Sequence, residues 1–178
     1  MHRHRHLLLA TMAMVMLGQE VHAACTDAAA PGVQWRRCIF DSDDLSDANL
    51  TGADLRDSGF KRVDLNGANL SRVQARRAKF VSGTLRDVDF TDADLVQADF
   101  TSADLTGAKL IGASLRGARL FQANLRGADL TRAVLDGADL LRTDFSGARW
   151  TDGTTICAEG SLDRCRPSAG TPATKVQG

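Results

Sequence analysis

The residues of this 178-residue chain that could do chemistry are carboxylates, cysteines and a band of cations, and their spacing decides what each set can do. Asp44, Asp64, Asp104 and Asp144 fall twenty residues or a multiple of twenty apart, with Thr84 and Asn124 filling the gaps. If the chain returns to one side every twenty residues, neighbours in that column lie about 4.8 Å apart, close to the carboxylate separation of a retaining glycosidase. However, Asp and Asn hold this local place in unit after unit, where their side chains suit backbone bending and solvation. No cleft is evident, and nearly all the aromatic residues that would hold a sugar are expected to point inward. Calcium is set aside as well, because the glycine-aspartate nonapeptide of calcium-binding β-rolls is absent. The reading is that the chain is not an enzyme and carries no cofactor or metal.

Histidine supports that reading. All four, His2, His4, His6 and His22, precede residue 24, and there is no Tyr. Past that point no Ser/His or Cys/His nucleophile pair and no imidazole metal ligand can be assembled. The cations Lys61, Arg62, Arg72, Arg76, Arg77, Lys79 and Arg86 cluster in one stretch around Ala75. They read either as a positive collar that meets an acidic partner or as a solvated face.

Residues 1–23 read as a secretory signal peptide: "MHRHRH" is basic, "LLLATMAMVML" is apolar but short for a bilayer, and Val21 and Ala23 suit cleavage near Ala23-Ala24. His22 stands where a lipid-attachment motif wants Leu, so no membrane anchor is expected after cleavage. Removing Arg3, Arg5 and Glu20 with the leader leaves 20 Lys plus Arg against 21 Asp plus Glu. A balance so near zero provides no field to steer the chain to nucleic acid or an anionic membrane. Cys25, Cys38, Cys157 and Cys165 all lie beyond the leader, and an even number in an exported chain reads as two disulfides. Their spacings lack the close pairs of structural zinc sites.

The elements that must position these residues follow from a period of five. From Phe40 to Phe145 every fifth residue is Leu or Phe except Ala75, and Trp150 closes the series. The residue two earlier is usually Ala, giving a unit of Ala, Asp or Asn, Leu or Phe, and two more, often ending in Gly or a polar residue. Five residues turn a helix by about 500°, so the apolar positions would wander round its axis. In a straight strand, positions five apart fall on opposite faces. The chain must therefore bend once per unit so that each apolar pair faces inward again. Four right-angle bends close a coil of twenty residues, and Phe40, Phe60, Phe80 and Phe100 recur at that interval as one interior aromatic column.

Stretches such as "ANLTGADLRD", "ADLTGAKLIG" and "ANLRGADLTR" resemble the pentapeptide-repeat family over residues 38 to 152. The resemblance implies an all-β fold, a right-handed quadrilateral β-helix. With 23 units it should have five to six coils and be about 25 to 30 Å long. Residues 24–37 would form an N-terminal cap with Trp35 over the first coil, and 153–166 a disulfide-closed C-terminal cap. Residues 167–178 would be a disordered tail. Cysteine-bounded ends are also what the resemblance implies. Cys38, in an inward position, is expected to reach Cys25, and Cys157 to pair with Cys165, since Cys38 and Cys157 should be separated by most of the rod. Some family members imitate duplex DNA and bind type II topoisomerases, but a near-neutral chain with an export leader departs from that pattern, which stays the alternative. The main expectation is a non-enzymatic interaction scaffold of the periplasm or exterior.

One column suggests where such a scaffold would bind. Residues just after the central position should point outward, and one side reads Asp41, Lys61, Val81, Thr101, Phe121, Leu141. Other sides mostly carry Ser, Thr, Asn or Arg there, and Phe121 is the one Phe outside the central frame. Val81, Thr101, Phe121 and Leu141 are therefore expected to form a stripe that anchors a protein partner or a second copy, unless the C-terminal segment folds over it.

Overall fold

A computed structural model describes residues 25–169; the expected leader, and the expected tail from residue 170 on, lie outside the described residues. Each five-residue unit is a short extended stretch followed by a turn. In the turn the small residue's N–H donates to the preceding central carbonyl, as from Ala53 to Leu50 at 3.0 Å and from Ala98 to Leu95 at 3.0 Å. The residue two after the centre takes a left-handed backbone, with φ 66° at Gly52 and 63° at Asp57. A positive φ at the third turn position is the signature of a type II turn, and it supplies the bend that the period of five demands.

The bends bring the chain back over itself every twenty residues. Every parallel bridge joins residues twenty apart, from Gln34–Asp54 to Asp129–Arg149, and each uses the residue just before a central position. Gln74, for example, donates to the Ala53 carbonyl at 2.9 Å and accepts from the Leu55 N–H at 2.7 Å. The result is a repeat β-helix, with no α-helix among the described residues.

Central residues and the small residues two before them line the interior, and from Leu50 to Leu130 every central residue is fully buried. Phe40, Phe60, Phe80 and Phe100 stack as expected, with centroids 5.4, 5.2 and 5.0 Å apart and planes within 14°. Phe90 meets Phe80 and Phe100 edge-on at 5.8 and 5.9 Å. Where a hydroxyl takes an inward position it donates to a carbonyl one coil away: Thr143 to Leu120 at 2.7 Å, and Ser58 to Trp35. Buried hydroxyls stay affordable only when bonded in this way.

The two ends close differently. Trp35 packs on Phe40 at 4.3 Å and donates its indole N–H to the Asp27 carbonyl at 3.2 Å, while Cys25 is bonded to Cys38. At the other end the chain reverses into antiparallel pairing, Arg149 with Ile156, Asp144 with Leu162, and Cys157 with Pro167, and Cys157 is bonded to Cys165. The pairing reaches the residues expected to begin the tail: Pro167 is bridged to Cys157, and Ser168 donates to the Ile156 carbonyl at 2.9 Å. Pairing to the cap outweighs a polar, proline-containing composition there.

Candidate functional site

The outward column forms as one ridge because backbone bonds run between coils beside it. Arg62 donates to Val81, Ser82 to Thr101, Ser102 to Phe121 and Gln122 to Leu141, at 2.9, 2.9, 2.9 and 3.0 Å. Val81, Thr101 and Phe121 are half-buried, and Leu141 is 55% exposed. The Thr101 hydroxyl turns back to the Asp99 carboxylate at 2.6 Å. The Arg142 guanidinium carbon stands 6.0 Å from the Phe121 ring centroid, at the outer limit of a cation–π contact. Arg142 is itself held from behind, its N–H donating to Asp163 of the terminal cap at 2.5 Å. The cap thus touches the edge of the stripe without covering Leu141.

The seven cations do not form one patch. The twenty-residue register puts Lys61 and Arg62 at one corner, Arg76 and Arg77 at a second, Arg72 at a third and Arg86 at the fourth. Several are also neutralised: Arg77 clasps Asp57 at 2.7 and 2.9 Å, Arg86 reaches Asp104 at 2.6 Å and Arg76 reaches Asp94 at 3.4 Å. Lys61 and Lys79 border a common depression beside Gly59, and Lys79 shares a second one with Arg77.

The aspartate column stacks as its spacing predicts, through bridges Asp44–Asp64, Asp64–Thr84, Thr84–Asp104, Asp104–Asn124 and Asn124–Asp144. Its carboxylates are engaged in their own turns, accepting backbone N–H groups two residues on: Ser46 at 3.0 Å, Asn66 at 3.0 Å, Thr106 at 3.1 Å and Ser146 at 2.9 Å. The Ser46 hydroxyl holds the Asp44 carboxyl below its ordinary 3.8. At Asp104 burial pushes upward, but hydrogen bonds from Thr106 and Arg86 outweigh it and the carboxyl again lies below 3.8. A general acid needs the opposite shift. Among the described residues no three His, Cys, Asp or Glu side chains converge as a metal ion would require.

Two features escaped the sequence reading. A shallow groove is lined by Arg77, Lys79, Gln97, Asp99, Gly117, Arg119, Gly137 and Asp139. Its signal was the pair of glycines twenty residues apart on one corner. The other is Ile39, 75% exposed in the bridging position that Asp or Asn usually fills.

The family model described as Pentapeptide repeat region matches residues 33–110, and the one described as Pentapeptide repeats (8 copies) matches 113–149. No curated protein matches the chain. Among solved structures, a pentapeptide repeat protein from the Arabidopsis thaliana thylakoid lumen is 28% identical over 66% of this chain and 72% of its own, with a TM-score of 0.44. Rfr23 from the cyanobacterium Cyanothece 51142 is 21% identical over 67% and 89%, with a TM-score of 0.49. QnrB1, a plasmid-mediated fluoroquinolone resistance protein, is 20% identical over 71% and 74%, with a TM-score of 0.37.

Proposed function

The chain belongs to the pentapeptide-repeat family, and from that membership we propose a non-enzymatic scaffold, exported to the periplasm or exterior, that holds a protein partner on its Phe121–Leu141 stripe. The observation that carries this reading is Leu141, 55% exposed beside Phe121 and flanked by Arg142, in a column whose counterparts on other corners are mostly polar. An apolar centre with a cationic and amide rim suits a modest protein contact. Export is supported by two bonded cysteine pairs, which persist in oxidising compartments. The reading includes a right-handed, four-sided rod of five to six coils over 38–152, capped by 24–37 and 153–166 and preceded by a leader at 1–23. It is a rigid ruler that sets the spacing of what it presents.

The test is Phe121→Asp in the purified protein. Retention of a periplasmic protein by the parent and its loss by the variant, with melting unchanged, is the expected result. Equal retention by both would remove the stripe as the binding surface. A large drop in melting temperature would make Phe121 a packing residue.

A further inference from the structure

The C-terminal cap pairs with only part of the last coil. Phe145 donates its N–H to the Ser161 carbonyl and Trp150 to that of Thr155, both at 2.8 Å, but the sides that carry Leu135 and Leu140 receive no such strand. One coil earlier the Leu115 N–H donates to Val134, the Gly117 N–H donates to Asp136, and the Ala113 carbonyl accepts from Val134. Their counterparts in the last coil, the N–H groups of Leu135 and Gly137 and the carbonyl of Ala133, have no partner among the described residues. Leu135 is also only half-buried, whereas Leu115 is fully buried. One more five-residue unit would meet all three backbone groups and cover Leu135.

The chain carries such a unit beyond the described residues. Residues 174–178 read Thr-Lys-Val-Gln-Gly, and residues 108–112 of the rod read Ala-Lys-Leu-Ile-Gly. Three of the five places have further precedents: Thr143 is buried at the small position, Lys79 and Lys109 occupy bridging positions, and Gly112 closes its corner with φ 67°. The direction of the chain also fits. Cys157 donates to Ala148 in one antiparallel pairing and is bridged to Pro167 in a second, so the chain through Ser168 again runs the way the coil does, toward the Leu135 side. A side takes five residues, and seven separate Ser168 from Lys175, which leaves two for the step down past the cap strand. The Leu140 side lies a further five residues round, and its corner N–H, that of Arg142, is already taken by Asp163.

Charge selects the same side. An arginine just after a central residue reaches the carboxylate in the bridging place of the next coil, eighteen residues on: Arg76 to Asp94 at 3.4 Å, Arg86 to Asp104 at 2.6 Å and Arg126 to Asp144 at 3.2 Å. Asp136 stands just after Leu135, 81% exposed, with Arg116 at 3.8 Å as its ion-pair partner. Lys175 in the bridging place above it repeats those pairs with the signs exchanged. We propose that residues 174–178 dock on the Leu135 side as one further unit, with Lys175 against Asp136 and Val176 over Leu135. The segment is then a strap across an edge otherwise open to a strand of another chain. This does not rest on the Phe121–Leu141 stripe.

Amide hydrogen exchange in the purified full chain tests it. Leu135 and Gly137 should exchange at least ~10-fold faster in Val176→Asp than in the parent, the effect of losing one to two hydrogen bonds. Leu140 should not change. Lys175→Asp and Asp136→Lys should each speed exchange at Leu135 about 3-fold, and the double variant should restore the parent rate. Carbodiimide coupling at low protein concentration, followed by peptide mapping, should recover a Lys175–Asp136 link within one chain. Exchange at Leu135 that ignores Val176→Asp overturns the proposal, as does a double variant no better than the single ones. Exchange that slows as protein concentration rises would put a second copy on the edge and overturn it too. Should Asp136→Lys fail to fold, Lys175→Asp and the coupling decide, and unchanged exchange or a missing link counts against the strap.

Discussion

Phe80 shows what an inward position contributes. Its ring is stacked at 5.2 and 5.0 Å on Phe60 and Phe100 and touched edge-on by Phe90 at 5.8 Å, so neighbours on three sides are fixed by their own coils. Truncation leaves a hole that cannot collapse, and Phe80→Ala should lower unfolding free energy by about 3 to 5 kcal/mol in a denaturant titration. Asp94→Asn keeps the oxygen that accepts the Val96 N–H at 3.3 Å and should cost little. Corner residues are governed by backbone instead. Gly127 has φ 66° and open space where a Cβ would stand, so any loss on substitution is conformational. Gly127→Ala should cost about 1 kcal/mol, and Gly127→Asn less, because Asn tolerates the left-handed region. Equal losses would mean that the corner responds to side-chain volume and not to φ.

At the level of the turn, carboxylates act as internal caps. Asp44 is held below its ordinary 3.8 by Ser46, and Asp152 likewise by Thr155. At Asp104 and Asp144 burial raises the carboxyl, but bonds from Thr106 and Arg86, and from Ser146 and Arg126, prevail. A carboxyl with a lower value folded than unfolded binds protons more readily in the unfolded chain, so its stabilisation is full at neutral pH and disappears as pH falls through the folded value. Melting temperature should therefore hold steady from pH 7 to about 5 and fall below about 4, with a shallower fall in Asp104→Asn. A fall beginning near pH 6 would contradict this. The caps are the second kind of element. Each disulfide closes a short loop, of 13 and 8 residues in sequence separation, and should stabilise by about 3 kcal/mol in the chain-entropy model. Peptide mapping that recovered a Cys38–Cys157 link would refute the pairing. At the N-terminal end the repeat made the disulfide legible, since Trp35 sits in its frame and Cys38 falls on an inward position. The antiparallel reversal at Ile156, Leu162 and Pro167 carries no periodic signal, so neither the repeat nor composition could place it.

For the whole molecule, the twenty-residue register converts a list into a surface. Phe121 stands out as the one Phe outside the frame, and its neighbours Val81, Thr101 and Leu141 could be named from arithmetic alone. The cations could not be placed so simply: closeness in sequence scatters around a coil, and Arg77 and Arg86 are drawn to Asp57 and Asp104 eighteen to twenty residues away. Ile39 was missed because it fills a bridging position, outside the frame that marks central and small residues. The same register sets how the rod answers a pull on its two ends. All bonds between coils run along the axis, and the disulfides span only 13 and 8 residues, so neither ties one coil to the next. Tension should peel the rod from an end, one circuit at a time, and each circuit that lets go frees twenty residues, roughly 65 to 70 Å of extended chain. A force–extension trace should therefore be a staircase of nearly equal treads, the molecule paying out length like a ratchet.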